Sequence, residues 1–177
     1  MNTDFRNYKI IEFDTKQCGP LYDLIDSNRE RLETYFAGTV KNTKTLEDTI
    51  SYCKQIDMRV KNKSYYIYTI TNKENNSLIG LIDVKNIDWN VPKAEIGYFI
   101  DFNHQGKGII TNAVAILIEY LLKEYNFKKL LCRINSENIG SIKVALNNGF
   151  KLEGTIRNDY RTTSNEIVDL NYYGRIF

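Results

Sequence analysis

A helix that is apolar on nearly every side must lie buried against something larger, and this chain contains one. From Ile109 to Glu124 the residues Ile109, Ile110, Ala113, Val114, Ile116, Leu117 and Leu121 leave little polar face, so the segment has to pack on a sheet. What precedes it reads as a strand, Ala94–Phe102, followed by the polar loop Asn103-His104-Gln105-Gly106-Lys107-Gly108. Two glycines around a lysine remove side-chain bulk, which lets an anion approach the backbone and lets the chain take strained angles. The first N–H groups of the helix have no partner within it and point back at the loop. With the positive end of the helix dipole they predict an anion site suited to a diphosphate. Alone, this loop is a weak signal. No Ser or Thr follows Lys107 to hold magnesium, and Thr111 stands where a dinucleotide fingerprint needs its third glycine. An ordinary strand-to-helix turn uses the same residues.

The flanking pattern predicts one α/β domain over residues 1–177, a sandwich built on one mixed sheet. Tyr8–Phe13 alternates as a first strand, and Gly19-Pro20 opens a helix over Pro20–Phe36 that Gly38 ends. Thr45 with Asp48 makes a capping box for a second helix, Leu46–Lys61, with Ile50, Cys53, Ile56 and Val60 facing inward. Tyr65–Thr71 and Leu78–Lys85 are antiparallel strands around a polar turn, Asn72–Ser77. Gly97, inside the next strand, predicts a bulge or the close approach of another group, and a bulge there splays the strand from its neighbour. Leu130–Ile134 is a strand, Asn138 caps a helix running to Asn148, and Gly149 stops it. Phe150–Tyr160 and Glu166–Ile176 close the chain as a hairpin.

Composition excludes several classes. A net charge of +2 gives no basic footprint for a nucleic-acid partner. No apolar run reaches the roughly 18–20 residues that a membrane helix needs, and the N-terminus lacks a signal-peptide core. Cys18, Cys53 and Cys132 are far apart in sequence, and His104 is the single histidine, so no metal site is expected. Reduced thiols point to the cytoplasm.

The segments Ala94-Glu95-Ile96-Gly97-Tyr98, His104-Gln105-Gly106-Lys107-Gly108-Ile109-Ile110-Thr111, Asn138-x-x-Ser141 and Asn147-Asn148-Gly149-Phe150-Lys151-Leu152-Glu153-Gly154 together resemble the GNAT superfamily of N-acetyltransferases. The likeness is strongest to the RimJ/RimL type, which acetylates ribosomal-protein N-termini. It implies a mixed, mostly antiparallel sheet of about seven strands with a bulged, splayed cofactor strand, and about four helices. It also implies acetyl-CoA as co-substrate. Tyr98, Phe99 and Ile100 would pair with its pantetheine arm. The backbone of Gln105, Gly106, Lys107, Gly108, Ile109 and Ile110 would hold its diphosphate, and Asn138 a pantetheine amide. Asn103 departs from the Gln or Arg usual at the start of that loop.

Direct transfer needs a neutral amine, a polarised thioester carbonyl and a proton or hydrogen bond for the leaving thiolate. Many members use a tyrosine for the last task, where this chain has Ala145. Ser141 is then the implied donor, its structural alternative being a serine that satisfies helix amides. Glu95, on the cofactor strand, is a candidate base, or else a paired carboxylate. Asp159-Tyr160 stand where RimL-like enzymes often carry a glutamate, which makes Tyr160 a further candidate. Asp169 reads as structural, His104 as a solvated loop residue, and Cys132 as a core thiol with no activating base. The expected acceptor is a peptide N-terminal amine. A small amine such as a polyamine, amino sugar or antibiotic is the alternative, favoured if Glu30, Glu33, Glu47 and Asp48 line the pocket; a non-catalytic acyl-CoA sensor is the third reading. Relatives of this type are often dimers, with the aromatic C-terminal strand available for pairing to a second copy.

Overall fold

The computed structural model describes every residue from Met1 to Phe177. Strands β1 (Asn2–Phe5) and β2 (Tyr8–Glu12) precede helices α1 (Cys18–Asp26), α2 (Arg29–Tyr35), α3 (Ala37–Lys41) and α4 (Leu46–Lys61). Strands β3 (Tyr66–Asn72), β4 (Leu78–Asp88) and β5 (Lys93–Ile100) lead into α5 (Ile109–Tyr125). Then come β6 (Lys129–Ile134), α6 (Ile139–Asn147), β7 (Lys151–Arg161) and β8 (Ile167–Ile176). All eight strands join one sheet in the order β1-β2-β3-β4-β5-β6-β8-β7, and only the β5–β6 pair is parallel.

Alternation along the strands feeds two cores. Tyr68, Ile82 and Ile96 pack on one face with Val114, Leu117 and Leu121 of α5. Ile67, Leu81 and Phe99 pack on the other with Leu21 and Ile25 of α1, Leu32 of α2 and Ile56 of α4. The central strands are therefore covered on both sides, which is why they read as almost unbroken apolar runs.

Several expectations are corrected. The sheet has eight strands rather than about seven, because Asn2–Phe5, too polar to show a pattern, pairs with β2 through a turn in which Arg6 has φ 49°. There are six α-helices rather than about four. The stretch Pro20–Phe36 breaks at Asn28, whose buried side chain bonds across to Asp101 Oδ2 and to the Phe102 N–H, 3.0 and 2.9 Å away. Gly38 does not end a helix but lies inside α3. The Thr45–Asp48 box forms in both directions at 3.1 and 3.2 Å, and Cys53 and Ile56 are buried beneath it, whereas Ile50 is 40% exposed. Gly149 follows α6 at φ 76°, as a helix stop requires. The aromatic strand β8 is flanked by β6 and β7, so the free edges belong to β7 and, at the far end, β1.

The feature that positions the site is a parting of strands. β5 and β6 pair only from Lys93–Lys129 to Glu95–Leu131 and separate beyond Glu95. The predicted bulge at Gly97 is absent: Gly97 pairs in register with Asp83, and the irregularity between β4 and β5 falls between Lys85 and Asp88, where Asn86 has φ 50°. Gly97 answers instead to close approach, since Asp83 Oδ1 and Lys85 Nζ occupy the space that a Cβ would take.

Candidate active site

The parting leaves one channel with two ends. Its wider part is a groove of about 580 Å³ between β5, the loop before α5, α2 and the start of α6. Its inner end is a cavity of about 90 Å³ reached between the separated strands. Tyr35, Phe36, Tyr98, Asn138 and Ser141 line both.

The groove is a main-chain device. Gly106 and Gly108 hold φ of 71° and 70°, with nothing within 4 Å of where their Cβ atoms would be. Gly108 caps α5 without a side-chain acceptor, and the helix closes its first bond at Asn112 N–H to the Gly108 carbonyl, 3.1 Å. The N–H groups ahead of Asn112 are thus available to an anion in the groove. Gln105, Ile109 and Ile110 line the same groove. Lys107 does not: its Nζ donates back to the Asn103 carbonyl at 2.8 Å. On the opposite side, Arg31 of α2 donates to the Ile100 carbonyl and to Asn28 Oδ1, while its Nε is buried without a partner.

At the junction, Asn138 Oδ1 accepts from the Ser141 N–H at 3.1 Å. The Ser141 carbonyl accepts from the Tyr98 hydroxyl at 2.9 Å, a bond that ties β5 to α6 across the open strands. The hydrogen bonds of Ser141 thus run through its backbone, and the Asn138 amide NH₂ is not needed for the cap. Burial raises the Tyr98 hydroxyl well above its ordinary pKa, so it donates and does not ionise.

The inner end is a side-chain device. Glu95 is 7% exposed; its Oε2 accepts from Arg133 Nε at 2.8 Å and Asn86 Nδ2 at 2.7 Å, and Lys85 Nζ is 3.7 Å from its Oε1. Arg133 reaches on to Asp159 Oδ2 at 3.3 Å, which also accepts from the Tyr172 hydroxyl. Lys85 reaches back to Asp83 Oδ2 at 3.4 Å, which accepts from the Tyr65 hydroxyl, while Asp83 Oδ1 is buried without a partner. Signs alternate along Asp83–Lys85–Glu95–Arg133–Asp159. Burial works against the charge of Lys85, but Asp83 and Glu95 outweigh it and keep the ammonium protonated.

Asp159 and Tyr160 enter this end through a bulge. The β7–β8 register slips between Ile156 and Tyr160, Asn158 takes φ 53°, and its N–H donates to Asp169 Oδ1. The Tyr160 hydroxyl accepts from the Ala37 N–H at 2.7 Å and so keeps its own proton to donate. Nearby, Thr163 Oγ1 donates to the Glu33 carbonyl at 2.9 Å, clasping the hairpin tip to α2. Burial raises the Tyr160 pKa, which suits a donor rather than a base.

Of the residues singled out in sequence, Ser141, Glu95, Tyr160, Tyr98 and Asn138 meet in the inner cavity. Phe99 and Ile100 line the groove, although Phe99 also serves the core. Cys132 is buried at the inner end, its thiol pKa pushed up by burial and by Glu95. Glu30, Glu33, Glu47 and Asp48 line neither part of the channel, which removes the acidic pocket expected for a polycation. Sequence reading missed Lys85, Arg133 and Arg31. The signal for Lys85 was present: charged residues at alternate places in the apolar strand Leu81-Ile82-Asp83-Val84-Lys85 mark a buried polar stripe.

The acetyltransferase (GNAT) domain family matches residues 11–151. The chain is 30% identical over 159 residues to the ribosomal-protein-serine acetyltransferase of Escherichia coli K12, covering 89% of this chain and 86% of that protein. Its structure is similar to that of RimL, the ribosomal L7/L12 α-N-protein acetyltransferase in complex with coenzyme A, with a TM-score of 0.89 at 20% identity over 98% of this chain and 96% of the other. It is also similar to the microcin C7 self-immunity acetyltransferase MccE in complex with acetyl-CoA and AMP, with a TM-score of 0.86 at 25% identity, over 98% and 94%.

Proposed function

The chain belongs to the GNAT acetyltransferase family, and from that premise we propose that it moves an acetyl group from acetyl-CoA to the N-terminal amine of a protein. The observation that carries the reading is the channel itself: a cradle of free main-chain donors opens directly onto a gap between strands with a serine at the junction. The α5 N-terminus and the two left-handed glycines suit a diphosphate. The β5 edge, unpaired after Glu95, suits an extended amide-bearing arm. Acetyl-CoA supplies an activated thioester carbonyl.

The residues then divide the work. The β5 main chain near Tyr98 offers an N–H to the thioester oxygen. Ser141 donates its hydroxyl to the departing sulfur, held in place from both sides by Asn138 and Tyr98. Glu95 takes the amine's proton through Oε1, the less committed oxygen, directly or through water. Tyr160 donates to the acceptor. The amine nitrogen gains the acetyl carbon, the carbon–sulfur bond breaks, and no acyl-enzyme forms. The Escherichia coli relative's activity on ribosomal-protein serine, together with a cavity whose one lining carboxylate, Glu95, is already paired with Arg133 and Lys85, favours a peptide terminus over a polyamine.

Thiol release with acetyl-CoA tests this. Peptides with a free N-terminal serine or alanine are expected to support turnover and their N-blocked versions not to. Ser141→Ala is expected to lower kcat about 100-fold with unchanged CoA affinity. Turnover with spermidine and none with any peptide would overturn the acceptor assignment.

A further inference from the structure

We propose that the acceptor brings an acidic side chain with its amine, at the first or second residue of the peptide, and that Lys85 and Arg133 receive it at the inner end of the channel. This rests on the peptide-terminus reading above and names the class of terminus.

Three charged side chains line the inner cavity: Lys85, Glu95 and Arg133. They stand in the order cation, anion, cation, with Lys85 Nζ 3.7 Å from Glu95 Oε1 and Arg133 Nε 2.8 Å from Glu95 Oε2. The carboxylates of the cluster are tucked behind the cations. The Lys85 and Arg133 side chains keep 26% and 27% of their surface open, against 9% for Glu95, 10% for Asp83 and 19% for Asp159. Asp83 and Asp159 balance the cations without lining the cavity.

Neither cation has spent its donors. An ammonium has three N–H groups and a guanidinium five. Lys85 makes one hydrogen bond, a long one of 3.4 Å to Asp83 Oδ2. Arg133 gives Nε to Glu95 and Nη1 to Asp159. The cluster sets three carboxylates against two cations, but distance and burial decide which sign a guest meets first. Tyr160, on the cavity wall, samples that field. Burial raises its pKa, and the charges acting on it are Lys85 and Arg133, which both pull the other way with no carboxylate among them. An acid on the acceptor completes the pattern, its amine at Glu95 Oε1 and its carboxylate at Lys85. The 3.7 Å between those protein atoms is within the span of one terminal residue and its neighbour, whose Cα atoms lie about 3.8 Å apart.

Four free-amine peptides test this: Asp-Ala against Asn-Ala at the terminus, and Ser-Asp against Ser-Asn, the remaining residues identical and neutral. Each pair removes a charge at nearly constant shape. At saturating acetyl-CoA, kcat/KM from thiol release is expected to favour the acid about tenfold in at least one pair, and the preference to shrink as salt is raised. In Lys85→Met the ratio is expected to approach one, while Lys85→Arg keeps it. Ratios of one or below in both pairs, or a preference that Lys85→Met leaves intact, would overturn the proposal, while turnover of the amide peptides upholds the acetyl-transfer reading. Should Lys85→Met fail to fold, the wild-type ratios and their salt dependence decide alone. No turnover with any of the four peptides removes the peptide-terminus reading as well.

Discussion

The two ends of the channel are built by different means. The groove uses main-chain N–H groups set by Gly106, Gly108 and the start of α5, all within one short run of chain. The inner cavity uses Asp83, Lys85, Glu95, Arg133 and Asp159, which come from β4, β5, β6 and β7. Main-chain donors stay where the fold puts them, so changes in the groove alter binding with little loss of stability. Buried charges depend on one another, so removing one strands its neighbours. On the proposed reading the lesson is a separation: nucleotide affinity rests on the groove's main chain and the integrity of the acceptor chamber on the inner charges, with Tyr98, Asn138 and Ser141 shared at the junction.

Three variants press on that separation. Arg133→Met leaves Glu95 and Asp159 without their shared cation, and about 3 kcal/mol of stability is expected to go, read from the urea midpoint. CoA affinity in the surviving folded protein is expected to be unchanged; a parallel fall would show that the two ends are one unit. Gly108→Ala forces a side chain into a left-handed angle at a cost of about 1 kcal/mol and disturbs the anion-facing N–H groups. It is expected to weaken CoA binding about tenfold while the acceptor KM holds, a ratio measured by calorimetry and steady-state kinetics. Asp101→Asn gives the smallest effect. The Asp101 carboxyl holds its proton less tightly in the folded chain than in the unfolded one, so its stabilisation is in place above the carboxylate range near pH ~4 and lost as pH falls below it. The drop in Tm between pH 5 and pH 3 is therefore expected to be shallower in the variant.

The same contrast governs what could be read from sequence. The groove was legible because its parts are contiguous: strand, glycine loop and apolar helix occupy Ala94–Glu124 in the order in which they act. The pairing of Glu95 was not, since its cation Arg133 lies across a parallel strand pair and periodicity gives no register. The β7 bulge that aims Asp159 and Tyr160 inward depends on Asn158 at φ 53°, which carries no glycine to announce it. Gly97 was marked correctly as unusual, yet the reason lay one strand away in Asp83. Likewise the break of the first long helix at Asn28 is decided by Asp101 and Phe102, beyond any local signal.

The clasp between α2 and the β7–β8 hairpin sets how a guest must arrive. With the Ala37 N–H on the Tyr160 hydroxyl and Thr163 on the Glu33 carbonyl, the chamber is bridged along that side. On the proposed reading, a polypeptide laid sideways like a thread in a slot would meet that bridge. One poked in tip first would pass beside it, and a polymer's tip is its terminus.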